Sequence, residues 1–362
     1  MPPTGSVRSV ERLGGVDVAR GLAVLGMFTA HLAPGRAGDP WPQGAVQVAD
    51  GRSAALFVVL AGVSVALLSG GARPVRGELL ARARRRIAVR GALLVPIGLV
   101  LELLNAPLAL ILLQYALLFV LVLPFLALRA PVLLALAGVV ALAAPPLVFA
   151  ARDRLEAAPV GGEAVTDLLV GPYYPVGVWF AYLLVGLAVG RMDLRESGVR
   201  RLLVLVGAAL AVGAHTVSWA WQQAAPSGDL VRLITTEPHA STTFEVVANT
   251  GVSLAVLGLC LMAQDAAPRL LAPVAATGAL ALTAYVGHVV AIGVLGSAVV
   301  WQPRASTWAA FIVVTVVLCT AWRAWLGRGP LERVLHEVST RVSGGVEPRP
   351  DGVAAPAAPR QG

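Results

Sequence analysis

Three ionisable side chains stand at the start of an apolar run: Asp17, Arg20 and His31, within the stretch VDVARGLAVLGMFTAH at residues 16–31. At about 100° per residue, the eleven steps from Arg20 to His31 turn a helix through about 1100°, three full turns plus about 20°. The two side chains therefore share a face and lie about 16 Å apart along the axis. Asp17 precedes Arg20 by one turn, close enough to pair with it. A carboxylate-held guanidinium is a fixed fork for anions, and an imidazole is a proton-transfer group near neutral pH. Ionisable residues in a membrane helix are costly, face the bundle interior and point to a functional site. The plainer alternative makes Asp17 and Arg20 an interfacial pair at the helix start and His31 a polar residue at its far end.

Other candidates lie further along. His239 precedes an apolar run in which Glu245 and Asn249, at i and i+4, share a face. Thr242 or Ser241 could cap that helix, with Glu245 completing a capping box. The site role and the capping role are compatible. A carboxylate inside a span needs a partner or a proton, since acidic residues cost about 2.5–3.5 kcal/mol near the bilayer centre. His288 lies next to Tyr285 and serves either the site or an interhelical hydrogen bond. His215 has no acidic neighbour and reads as structural, and His336 as solvated. Asp50 and Arg52 read as an interface pair. Gln114 and Tyr115 would line a cavity, and Tyr173 and Tyr174 fit an aromatic belt. Neither HExxH nor a Cys/His cluster at ligand spacing is present, so no metal is expected.

The elements that must position these groups are membrane helices. Of the 362 residues, 57% are hydrophobic and only 13% charged, against roughly 25% charged in soluble domains. Ten spans of about 20 apolar residues are expected, near 14–34, 53–70, 88–105, 107–127, 131–150, 173–190, 201–221, 243–263, 273–299 and 306–326. The basic residues are all arginine. They concentrate between spans on one side, as in the loop at 71–90, which places both termini in the cytoplasm by the positive-inside rule. A net charge of +8 therefore needs no nucleic-acid partner. Cys260 and Cys319 form no disulfide framework. The expected fold is all-α, a polytopic integral membrane bundle of about ten transmembrane helices. Residues 1–11 form a cytoplasmic tail, 12–335 a single transmembrane domain, and 343–362 a Pro/Ala/Gly-rich disordered tail.

An Asp-x-x-Arg pair followed by Arg, ten residues and His resembles the membrane acyltransferases that O-acetylate bacterial surface glycans. The wider wording, RLGGVDVARGLAVLGMF with GRSAALFVVLAGVSVALL, is more similar to YeiB-like membrane proteins. It is equally similar to bacterial relatives of heparan-alpha-glucosaminide N-acetyltransferase. GPYYPVGVWFAYLLVGLAVGR, PHASTTFEVVANTG, ALTAYVGHV and GPLERVL extend the resemblance from about Arg12 to Arg333. It implies a transmembrane acyltransferase domain in the plasma (inner) membrane. Such a protein would move an acyl group, acetyl above all, from cytosolic acyl-CoA to an extracytoplasmic glycan or small-molecule acceptor in the cell envelope. On that reading His31 is general base or acyl carrier, and Arg20, fixed by Asp17, holds the donor. His239, Thr242, Glu245, Asn249 and His288 orient the acceptor. Arg82, Arg85 and Arg86 would hold the nucleotide phosphates, although the positive-inside rule accounts for them equally. The partners are the lipid bilayer and the acceptor, with a homodimer left open. The alternatives are a transporter or flippase using the same polar path, and a non-catalytic partner in envelope assembly.

Overall fold

The computed structural model describes residues 13–35, 39–40, 43–157, 163–224 and 233–344. The expected tails at 1–11 and beyond 344 lie outside them. Among the described residues all regular structure is helical, with no strand. In chain order the helices are α1 (Gly14–Leu32), α2 (Arg52–Leu68), α3 (Gly77–Glu102), α4 (Leu112–Leu121), α5 (Ala130–Ala157), α6 (Glu163–Val170) and α7 (Val176–Val189). They continue with α8 (Ser197–Ala224), α9 (Thr243–Ala266), α10 (Pro268–Ala279), α11 (Ala281–Leu295), α12 (Ala298–Trp301), α13 (Ala305–Leu326) and α14 (Pro330–Val342).

Among the described residues, five helical stretches are long and apolar enough to cross a membrane, six if the bent pair α10–α11 counts as one span. The sequence suggested ten. The difference has local causes. α4 is 10 residues long and gives way to a 3-10 turn at Leu123–Ala127, where Pro124 cannot supply a helical N–H. α7 is only 14 residues long and buried along nearly its whole length. α3 begins at Gly77, so most of the expected 71–90 loop is the charged first half of a helix.

Helix neighbours decide what meets at the centre. α7 packs against α2 and α5, and α9 lies along α8 while also touching α1 and α2. α1 runs against α10, with the tip of α1 reaching α11. α14 docks on α3. The α1–α10 crossing is a backbone-to-backbone approach. A Cβ on Gly278 would stand 1.8 Å from the Asp17 carbonyl, and one on Gly21 would stand 2.1 Å from the Val274 carbonyl. Glycine is required at both positions. Just past Gly278 the chain turns by 69° between α10 and α11. The single ninth span expected over 273–299 is therefore two helices. The bend lets α10 hug α1 near Arg20 while α11 swings across to the His31 end.

Candidate functional site

Asp17 and Arg20 pair as their spacing requires, with Nη1 of Arg20 2.9 Å from Oδ1 of Asp17. The guanidinium is held from two further helices. Nη1 also donates to the Gly278 carbonyl at 3.3 Å, and Nη2 donates to the Ser64 hydroxyl at 3.0 Å. Arg20 thus ties α1 to α2 and α10 in one plane, and its side chain keeps 21% exposure. The Arg20 fork is fixed in position yet still reachable.

At the other end of α1, Nδ1 of His31 lies 3.3 Å from Nε2 of His288, with the rings nearly parallel at 13°. His31 is half-buried, whereas His288 is buried between Phe28 at 4.4 Å and Tyr285 at 5.2 Å. Nδ1 of His288 is buried without a hydrogen bond. The Tyr285 hydroxyl does not serve it; that oxygen accepts from the Ile111 N–H at 3.4 Å. So the pair α1–α11, created by the bend, brings together two imidazoles that stand 257 positions apart in sequence.

A second imidazole group stands beside the first. His239 Nε2 is 3.3 Å from Oδ1 of Asp50, and its Nδ1 is 3.2 Å from the Tyr173 carbonyl. Tyr173 and Tyr174 place their rings edge-on at 5.3 and 5.4 Å. Burial lowers the affinity of His239 for a proton, but the Asp50 hydrogen bond and charge outweigh it and leave the pKa above the ordinary histidine value. No hydrogen bond joins the two imidazole groups among the described residues. Their charges do interact, for both Asp50 and His239 act on His31.

Glu245 holds the second group together. Its Oε1 accepts the His239 main-chain N–H at 2.8 Å, and its Oε2 accepts that of Ser241 at 2.6 Å. Asn249 adds an N–H to Oε1 at 3.3 Å and reaches the Tyr182 hydroxyl at 3.4 Å. Thr242 is the N-cap, accepting the Glu245 N–H at 2.9 Å. This departs from a capping box, because the carboxylate reaches Ser241 and His239, one and three residues before the cap, instead of the cap itself. His239 and Ser241 adopt φ of 61° and 59°, a region costly for residues other than glycine. The buried carboxylate fixes that strained turn and so aims the His239 ring at Asp50.

The arginine run does not form one patch. Arg82 and Arg85 both face Glu78, at 3.3 and 3.4 Å. Arg86 is buried, with Nη2 3.3 Å from Nδ1 of His336 on α14. His336, read as solvated, instead helps dock α14. His215 contacts Arg52 at 3.1 Å and the Ala211 carbonyl at 2.9 Å. Asp50 therefore turns to His239, and Arg52 to His215.

Sequence reasoning set Asp50 aside as an interface residue and named Tyr285 only as a neighbour of His288. Tyr115, Tyr174 and Tyr285 are all buried. The signal available was weak: Asp50 heads the helix after His31, and Tyr285 lies one turn before His288.

The residues of this site come from two separately recognisable parts of the chain. A family model described as a protein of unknown function, DUF418, matches residues 191–341, which hold His239, Glu245, Asn249 and His288. No curated protein matches the chain. A second family model, described as heparan-alpha-glucosaminide N-acetyltransferase, catalytic, matches residues 12–219, which hold Asp17, Arg20, His31 and Asp50. As that match spans more than half of the 362 residues, the chain belongs to the heparan-alpha-glucosaminide N-acetyltransferase family, a membrane acetyltransferase-like group.

Proposed function

We propose that this protein transfers an acetyl group from cytosolic acetyl-CoA to a hydroxyl or amine of an extracytoplasmic glycan or small molecule. The observation that carries the reading is one face of α1 with a triply anchored guanidinium at one end and a paired imidazole at the other. A thioester arm entering from the Arg20 end and an acceptor entering past Asp50 and His239 would meet at His31. An orientation with both termini cytoplasmic in the plasma membrane puts the Arg20 end inward. Reporter fusions at residue 80 and at the C-terminus should then read cytoplasmic, and one at residue 160 external. A cytoplasmic signal at 160 would remove the two-sided access.

The chemistry follows from the imidazole pair. For His31 to act through Nε2, its Nδ1–H must donate to Nε2 of His288. The His288 proton then sits on Nδ1. Nε2 of His31 accepts the proton of the acceptor hydroxyl or amine as that atom attacks the thioester carbonyl. The carbon–sulfur bond breaks, and the thiolate leaves and takes up the proton held on Nε2 of His31, which returns the imidazole to its neutral form. His288 and the Asp50–His239 pair are positioning residues in this scheme, and Arg20 holds the donor arm. Purified protein in sealed proteoliposomes should release free thiol from acetyl-CoA supplied on one face only when an acceptor is supplied on the other. Thiol release independent of acceptor, or none with any envelope-derived acceptor, would sink the proposal.

A transporter would use the same polar path. An inverted-repeat carrier, however, has broken helices in corresponding halves. Among the described residues a single bent pair passes the length and hydropathy test, α10–α11.

A further inference from the structure

A second polar feature stands at the end of the bundle that holds Arg20. Ser64, which anchors Arg20, is near the C-terminus of α2, and just beyond that terminus a cavity of about 440 Å³ opens. Four arginines line it: Arg73, Arg76, Arg129 and Arg191. The remaining lining is alanine and proline, with no carboxylate. The turn that delivers two of them is tight. Gly70 has φ of 103°, and a Cβ there would stand 2.4 Å from the Arg73 carbonyl. Glycine at this position folds Arg73 and Arg76 back over the start of α5 and the end of α7.

These guanidiniums differ from the other arginines on the same side. Arg82 and Arg85 are matched by Glu78, and Arg84 donates to the Leu123 carbonyl at 3.1 Å. Arg73, Arg76 and Arg129 are exposed, and among the described residues none of their side chains has a hydrogen-bond or ion-pair partner. Arg191 is buried and spends its terminal nitrogens on the carbonyls of Ala66, Ser69, Gly71 and Leu126 and on the Ser69 hydroxyl. Its Nε is buried without a partner. Burial pulls its pKa down to about 10, and no carboxylate acts on it. A buried cation balanced only by dipoles is costly. The positive-inside rule explains arginines in a loop. It does not explain four of them around one concavity with no acid among them, where like charges repel.

We infer that this cavity binds a phosphate ester carrying two or more negative charges. Planar guanidinium forks match phosphate oxygens two at a time, and a polyanion would relieve the mutual repulsion of the four cations. Two sources share that chemistry: the nucleotide diphosphate of a soluble acyl donor, and the headgroup of an anionic phospholipid. The first alone rests on the acetyl-CoA reading. It moves the nucleotide contact from Arg82, Arg85 and Arg86 to Arg73, Arg76, Arg129 and Arg191.

The test uses the full chain in two kinds of nanodisc. In phosphatidylcholine discs, inorganic pyrophosphate is titrated by calorimetry. In discs containing cardiolipin, which carries two phosphate charges, retained lipid is counted by native mass spectrometry. Arg73→Gln/Arg129→Gln should weaken pyrophosphate binding, or lipid retention, at least about tenfold, and Arg82→Gln/Arg85→Gln less than about twofold. The three exposed arginines hold no structural partner, so the first variant should fold; equal thermal midpoints check this. Pyrophosphate binding assigns the soluble source, and lipid retention without it assigns the headgroup. The inference is overturned if the wild type binds neither probe, or if both double variants lose equally. Pyrophosphate binding without acetyl transfer would spare this site and remove the acetyltransferase reading. Transfer without binding of either probe would do the reverse.

Discussion

His31→Gln is expected to lower acetyl transfer by about 10²–10⁴-fold, the share typical of a general base. Acetyl-CoA affinity should stay within about tenfold, because the base acts on the acceptor and not on donor binding. Glutamine can keep a hydrogen bond to His288 but cannot take a proton at neutral pH. Keeping the contact while losing the proton site separates chemistry from packing. His31→Ala should therefore be no worse than His31→Gln. The measurement pairs the transfer rate with acetyl-CoA Kd in the same preparation. A glutamine variant with wild-type turnover would reduce His31 to a residue that fills space beside Phe28 and His288, and the site would lose its reactive centre.

The second large effect is at Arg20. Arg20→Ala removes the ion-pair partner 2.9 Å from a carboxylate that is 7% exposed, and cuts the ties to Gly278 and Ser64. Breaking a buried pair costs up to about 3–5 kcal/mol, so membrane abundance should fall together with activity. Arg20→Lys keeps the charge at Asp17 but cannot reach Gly278 and Ser64 at once, because an ammonium lacks the planar fork. Lysine should restore abundance, read by immunoblot of membranes, without restoring transfer. Full activity in the lysine variant would leave Arg20 as a counter-ion alone.

Features that depend on short range were legible in the order of residues. Helical periodicity placed Arg20 and His31 on one face, and a one-turn spacing paired Asp17 with Arg20. A cap at Ser241 or Thr242 was also legible, because a cap is a contact between residues about three apart, and Thr242 takes it. The tertiary structure decided the rest. That His31 meets His288 depends on the bend after Gly278, which in turn depends on α10 lying backbone to backbone on α1. That Glu245 serves the main chain of His239 and Ser241 depends on a strained turn no pattern marks. The split of the other arginines between a contact with His336 and an acid-free cavity depends on where α14 and α5 come to rest.

Hydropathy cannot supply this information in a membrane protein. Within the bilayer, lipid is as apolar as a packed core, so the lipid-facing and inward-facing sides of a helix need not differ in composition. The stretch containing α2 and the helix α13 have mean hydropathies of 2.0 and 1.9, yet 67% of the first and 6% of the second are buried in the protein. The two read alike as sequences. Only the packing of their neighbours makes one the wall of the site and the other its outer face.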